Sequence, residues 1–244
     1  MLMVANWKMF KTVQESQAFV RELIRRREES TLSNTTEVIC PTLPALFELS
    51  QLCAGTTLHV GAQNLDLGDE GANTGAVSAY LLREAGAEYV IVGHSERRRL
   101  YGEDDTQVGE KAAQAVAAHL VPIVCVGETQ SQREEGKTDE VISRQVQAAL
   151  KALTASTPAI VAYEPVWAIG SGLVPDGAEA NRVAGVIRDA ASSGLPVLYG
   201  GSVNRKNIQE FAKAPLLDGA LVGGAALDVA HWMDLTRLWE EVRG

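Results

Sequence analysis

Eight short apolar runs, most of them nearly continuous rather than alternating, constrain this 244-residue chain more than any other feature. They cover residues 1–6, 37–40, 58–64, 89–93, 122–127, 159–164, 196–199 and 219–222. Their spacing is roughly 30 residues, the size of one strand–helix unit. A strand wetted on one face alternates polar and apolar residues, whereas a strand buried on both faces reads as an unbroken apolar run, as in a parallel sheet covered by helices. Helical patterns lie between most of the runs. Asp104-Asp105 opens a helix over 106–119 with Val108, Ala112, Ala115 and Val116 as its apolar stripe, and Asp139 opens another through Val141, Val146 and Leu150. Asp176 or Gly177 precedes Val183, Val186 and Ile187, which Gly194 closes, and Asp228 caps a last helix running towards Val242. Eight such units predict an α/β fold: a closed (β/α)8 barrel of eight parallel strands within an outer ring of helices. A doubly wound open sheet is the alternative. No Pro-, Gly- or Ser-rich linker divides the chain, so residues 1–244 are expected to form a single barrel domain.

The charge balance narrows the function classes. With 22 Lys and Arg against 31 Asp and Glu, the net charge is −9. Non-specific nucleic-acid binding and anionic-membrane binding need clustered positive charge, which this chain lacks. An anionic substrate would therefore need a local cation. Cys40, Cys53 and Cys125 are far apart and form no pattern with metal-ligand or disulfide spacing, so no metal site is expected and a reducing compartment fits. No run approaches 18 apolar residues and no leader pattern opens the chain, so the expectation is a soluble cytoplasmic protein.

In a barrel of this kind, chemistry sits at the C-terminal ends of the strands. The polar residues there form the shortlist: Asn6, Lys8, Asn64, His94, Ser95, Glu96, Glu128, Glu164, Ser202 and the pair Gly223-Gly224. Glu164 ends an apolar run before Pro165, which favours extended backbone and keeps it at the strand end. An apolar wall there would raise its pKa and suit it to act as a general base. A carboxylate salt-bridged at the rim is the other reading. The segment Pro165-Val166-Trp167-Ala168-Ile169-Gly170-Ser171-Gly172 has the glycines of a loop yet is almost wholly apolar. Such a segment beside a base can act as a lid that excludes water, or can be a buried connection. His94 precedes the apparent first turn of a helix, where the positive end of the dipole favours the neutral imidazole. Lys8, just past the first strand, can balance a phosphate or an oxyanion, or can be a solvated surface lysine. Gly200-Gly201-Ser202 and Gly223-Gly224 end runs seven and eight, where barrels commonly bind phosphate through backbone N–H groups. His59, His119 and His231 read as structural or surface residues.

These segments together resemble one family, triosephosphate isomerase. Asn6-Trp7-Lys8-Met9, Gly93-His94-Ser95-Glu96-Arg97-Arg98 and Tyr163-Glu164-Pro165-Val166-Trp167-Ala168-Ile169-Gly170 are similar to its three signature segments, in order. Ala62-Gln63-Asn64, the stretch 122–129, 199–204 and 221–225 match further, so the resemblance covers essentially the whole chain. It implies interconversion of dihydroxyacetone phosphate and D-glyceraldehyde 3-phosphate without metal or organic cofactor. It implies Glu164 as the base, His94 as a neutral electrophile, and Lys8 and Asn6 assisting. Gly170, Ser202, Gly223 and Gly224 would hold the phosphate together with Asn6 and Lys8. Glu96 would orient Lys8, and Cys125 would support the site. It also implies a homodimer in which Thr74 of one copy approaches Asn6 and Lys8 of the other.

The chain departs from the family pattern in four places. It begins almost at its first strand, which implies a less covered barrel floor. Leu173-Val174-Pro175 replaces the usual lid hinge, and Pro175 has no N–H to offer the tyrosine at 199, which removes a latch. Asn73 and Ala76 stand where the dimer loop usually carries an aromatic residue and a glutamate. Phe10 stands where a small or polar residue is usual. An aldolase is disfavoured because no run has an interior lysine for Schiff-base chemistry. An epimerase leaves the apolar lid unexplained, and a binding protein descended from an enzyme would be expected to have lost residues at 8, 94 or 164.

Overall fold

A computed structural model describes residues 1–29, 35–154, 156–168, 175–191 and 194–243. Its eight strands are β1 (Leu2–Asn6), β2 (Thr36–Cys40), β3 (Leu58–Ala62), β4 (Tyr89–Val92), β5 (Val121–Val126), β6 (Ile160–Tyr163), β7 (Val197–Tyr199) and β8 (Gly219–Val222). All neighbouring pairs are parallel, and β8 pairs with β1 to close the barrel in sequence order. This is the closed barrel expected, and it excludes the open sheet.

Closure explains the unbroken apolar runs. Leu2, Val4, Val38, Cys40, Ile91, Ile123, Cys125, Ile160, Ala162, Leu198 and Leu221 fill the barrel interior. The alternate residues, such as Met3, Ala5, Ile39, Val124, Val161 and Val197, pack outward under the helices. Both faces are dry, so both sets are largely apolar, and a polar exception such as Glu37 is buried with its charge paired. Burying each Val, Leu, Ile or Met among them contributes about 1.5–3 kcal/mol.

The helices are α1 (Val13–Glu28), α2 (Leu43–Cys53), α3 (Ala79–Glu84), α4 (Ser95–Tyr101), α5 (Asp105–Ala117), α6 (Gln130–Glu134), α7 (Thr138–Leu150), α8 (Gly177–Ala191), α9 (Ile208–Ala212) and α10 (Val229–Arg243). Asp104 caps α5 through the Gln107 N–H, with Gln107 reciprocating, and Asp228 accepts from the His231 N–H at the head of α10. One helix start differs from expectation. The α7 helix begins at Thr138 after Lys137, with no side-chain cap, and Asp139 lies inside its first turn. There its charge still complements the helix dipole. The floor end is tied by Glu37, whose carboxylate takes both arms of Arg27 at 2.6 and 2.7 Å and the Trp232 indole N–H at 2.6 Å. These contacts link α1, β2 and α10.

Candidate active site

Strand periodicity places the first two site residues. Leu2 and Val4 point into the barrel, and Asn6 is the next residue of that set at the C-terminal mouth. Ile160 and Ala162 do the same in β6, and Glu164 follows them. The Glu164 N–H continues the ladder to the Val126 carbonyl at 2.7 Å, so the backbone beneath the carboxylate is fixed. His94 arrives differently. Gly93 turns the chain with φ +67, where a Cβ would lie 2.7 Å from Val108, and His94 becomes the residue preceding α4.

The two meet directly. His94 Nε2 lies 2.9 Å from Glu164 Oε1, and the Ser95 N–H donates to Glu164 Oε2 at 2.8 Å. On the other side of the ring, Nδ1 accepts the Glu96 N–H at 3.2 Å, which puts the imidazole proton on Nε2, facing the carboxylate. Glu164 is only 3% exposed. Burial pushes its pKa up, but His94, the Ser95 N–H and Lys8 together outweigh burial and hold it below the ordinary carboxylate value. The expectation of a raised pKa is therefore corrected: the apolar wall is there, but a cation-forming partner and a backbone donor sit against the charge. Burial disfavours the charged form of His94, yet the Glu164 carboxylate outweighs it and the imidazole's pKa is raised. The head of α4 acts at Nδ1 as expected, but it does not set the balance while Glu164 is in contact.

This pair makes a pH prediction. Glu164, held below its ordinary 4.5, adds stability above that pH, and this is lost as the pH falls through its folded value. His94, raised above its ordinary 6.5, adds stability below that pH, lost as the pH rises through its folded value. The pair therefore stabilises the fold most between about 4.5 and 6.5. Thermal unfolding of the unmodified protein and of Glu164→Gln across pH 4–9 is expected to differ most in that window. A pH-independent difference would contradict the coupling.

Lys8 completes the cluster. Its backbone is left-handed at φ +51, which costs a non-glycine residue about 1–2 kcal/mol. Its N–H donates to Asn6 Oδ1 at 3.0 Å, and its Nζ reaches Glu96 Oε1 at 2.8 Å. A Cβ on Gly223 would lie 3.3 Å from Lys8 Cε, so the absence of a side chain there leaves room for the lysine stem. Asn6, Lys8, His94 and Glu164 line one cavity of about 280 Å³ with Ser202, Gly223 and Gly224. The short 3-10 turn Gly224–Ala226 follows β8 at its edge, and the Trp7 indole N–H ties that turn to the β1 end through the Ala226 carbonyl at 3.1 Å.

Other shortlisted residues lie elsewhere. Glu128 is fully buried outside this cavity. Its Oε1 accepts from the Trp167 indole at 2.9 Å, the Tyr163 hydroxyl at 3.2 Å and Arg133 at 3.3 Å, while Arg133 stacks on Trp167 at 4.3 Å. It thereby anchors the 3-10 turn Val166–Ala168 that begins the apolar segment after Pro165. Ile169, Gly170, Ser171 and Gly172 lie outside the described residues. Asn64 accepts from Lys111, a buried cation paired with Glu103 that the sequence reading did not single out. Cys125 is buried directly below the site, its thiol pKa pushed well up by burial and by the nearby Glu164 charge. The Tyr199 hydroxyl is buried without a hydrogen-bond partner among the described residues, and Pro175, also buried, has no N–H to give it. Thr74 is exposed on the loop after β3 and does not line this cavity. Among the described residues, no group of three or more His, Cys, Asp or Glu could hold a metal, and no helix is long and apolar enough to cross a membrane.

Comparison with known proteins identifies the family of this chain. The family model described as triosephosphate isomerase matches residues 1–239. A triosephosphate isomerase from Synechococcus sp. (strain JA-2-3B'a(2-13)) is 45% identical over 93% of this chain and 92% of its own length. One from Dictyoglomus turgidum is 41% identical over 97% and 98%. The crystal structure of triosephosphate isomerase from Bartonella henselae superposes with a TM-score of 0.87 at 32% identity, covering 98% of each chain. With a closed eight-stranded barrel and matches that span nearly its whole length, the chain belongs to the triosephosphate isomerase family of isomerase enzymes.

Proposed function

We propose that the chain interconverts dihydroxyacetone phosphate and D-glyceraldehyde 3-phosphate by proton transfer through an enediolate. The observation that carries this reading is the convergence of Glu164, His94 and Lys8 on one cavity with the loops that end β7 and β8. The Glu164 carboxylate removes a proton from the carbon beside the carbonyl and returns it to the neighbouring carbon. The His94 Nε2–H, which bonds to Glu164 Oε1 at 2.9 Å, turns to the substrate oxygens, where it stabilises the developing oxyanion and passes the hydroxyl proton from one oxygen to the other, so that carbonyl and hydroxyl exchange places. That exchange of partners frees the carboxylate. Asn6 and the Lys8 ammonium add a donor and a charge, and Glu96 holds the ammonium in place. Ser202, Gly223, Gly224 and Gly170 bind the phosphate, and residues 165–172 cover the site so that the intermediate does not meet water.

A homodimer fits the surface beside the site. Met9, Phe10, Leu43, Leu100 and Tyr101 line a groove of about 590 Å³ that shares Asn6, Lys8 and His94 with the cavity. Met9 is 93% and Phe10 56% exposed, an apolar surface next to catalytic groups that favours a covering partner. The loop bearing Thr74 from a second copy is the occupant this reading assigns, with Phe10 supplying apolar surface opposite a loop that lacks an aromatic at Asn73. A place in glycolysis and gluconeogenesis in the cytoplasm follows from the same reading.

A coupled assay of D-glyceraldehyde 3-phosphate isomerisation tests it, with sedimentation equilibrium on the same preparation. Rapid turnover and a mass near twice 26.1 kDa are expected. A folded protein without turnover would overturn the catalytic reading, and a monomer at assay concentration would overturn the dimer.

A further inference from the structure

The conformation that aims Lys8 has a cause outside its own segment. Residue 8 is neither glycine nor asparagine, yet its φ is +51, so the surrounding structure must impose this backbone. Asn6 takes its N–H, as described. Its carbonyl accepts from the Gln63 side-chain Nε2 at 2.8 Å, and the same nitrogen donates to the Cys40 carbonyl at 3.0 Å. The Cys40 carbonyl also receives the Trp7 N–H at 3.1 Å. Gln63 directly follows β3, so its amide bridges the second residue after β1 to the last residue of β2. Both acceptors are carbonyl oxygens, which can only accept. The group between them must bring two N–H bonds on one nitrogen, as a primary amide does. A carboxylate there would set its oxygens against two others.

We propose that Gln63 is a positioning residue for the reaction: it clamps the Lys8 carbonyl and thereby holds the left-handed backbone that points the ammonium between Glu96 and Gly223. This rests on the role given to Lys8 above. The lever is long, because the ammonium lies four methylenes from the backbone that Gln63 holds. The ammonium's place is narrow, with Glu96 Oε1 at 2.8 Å and the stem within 3.3 Å of where a Cβ on Gly223 would sit. Released, residue 8 relaxes towards the right-handed or extended region and the charge leaves the cavity.

The test is a double-mutant cycle in the full-length protein, with Gln63→Ala and Lys8→Met separately and together. Its readouts are the dissociation constant for inorganic phosphate, the kinetics with D-glyceraldehyde 3-phosphate, the Tm and the sedimentation mass. Gln63→Ala is expected to weaken phosphate binding and raise KM by about tenfold, below the roughly 10²-fold that a full ångström of misplacement costs. In the Lys8→Met background it is expected to change phosphate binding by less than about twofold, because the group it positions is gone. A role confined to folding or to the groove moves Tm or mass equally in both backgrounds and leaves the phosphate effects additive. Gln63→Glu, which keeps the volume and loses the donors, is expected to show the same non-additivity with a larger single effect, and it carries the cycle if the alanine variant does not fold. Additive effects, or wild-type phosphate binding and KM in a folded Gln63 variant, would overturn the proposal. Phosphate binding is read without turnover, so failure of the isomerase reading shows separately, as an inactive but phosphate-binding parent protein.

Discussion

Glu164→Gln is expected to lower kcat by roughly 10²–10⁴-fold while inorganic phosphate binds nearly as before, the loss typical of removing a positioned general base. The amide matches the carboxylate in volume and so leaves the packing of this 3% exposed side chain intact. It cannot accept from both the Ser95 N–H and the His94 Nε2–H, which now lie 2.8 and 2.9 Å from the two carboxylate oxygens. One of these donors must face an NH2 group or turn away. The loops after β7 and β8, proposed above to bind phosphate, are untouched by that exchange. Glu164→Asp separates position from chemistry: it keeps the charge but withdraws it by one methylene, and about a 10²-fold loss in kcat is expected from misplacement alone. Steady-state kinetics of both variants, with phosphate binding as the control, check this. Turnover close to wild type in Glu164→Gln would remove the base assignment, and loss of phosphate binding in step with turnover would show a collapsed site.

Much of the fold was legible because closure of the barrel leaves both faces of a strand dry, which disfavours polar residues on either. The runs at 89–93 and 219–222 therefore fall within a residue of β4 and β8. Asn6 and Glu164 were legible for the same reason in reverse: each is the first polar residue of an inward-facing set. The electrostatics of Glu164 were not. Its chain neighbours are apolar, and the groups that decide its charge, His94 and Ser95, stand 70 and 69 residues away in sequence. Glu128 shows the converse. As a polar strand-end residue it joined the shortlist, but Trp167, Tyr163 and Arg133 draw it under the apolar segment. The part Gln63 plays is invisible in the chain, since a left-handed lysine leaves no local mark in sequence. Phe10 had no account from the chain alone and acquires one from its place in the groove beside Met9 and Leu100.

Lys8→Met is expected to separate binding from folding most sharply. The Lys8–Glu96 pair is 31% and 37% exposed, and ion pairs so open to water contribute only about 0–1 kcal/mol. Methionine has a similar reach and keeps the stem against Gly223, so the Tm should hardly move. The reaction should suffer far more. The protein carries a net charge of −9, and Lys8 is the one cationic side chain lining the cavity among the described residues apart from what His94 can supply. A phosphate dianion entering without it meets the Glu164 carboxylate uncompensated. Loss of one such charged contact is expected to lower kcat/KM by about 10²–10³-fold, with KM raised and the salt dependence of phosphate binding flattened. Lys8→Arg retains the charge but brings a planar, wider group into a space bounded by Glu96 and Gly223, so it should recover phosphate binding better than kcat. If Lys8→Met instead lowered the Tm strongly and left kcat/KM within about twofold, the lysine would be a structural tie between β1 and α4 and the cavity's anion preference would have to come from backbone N–H groups alone.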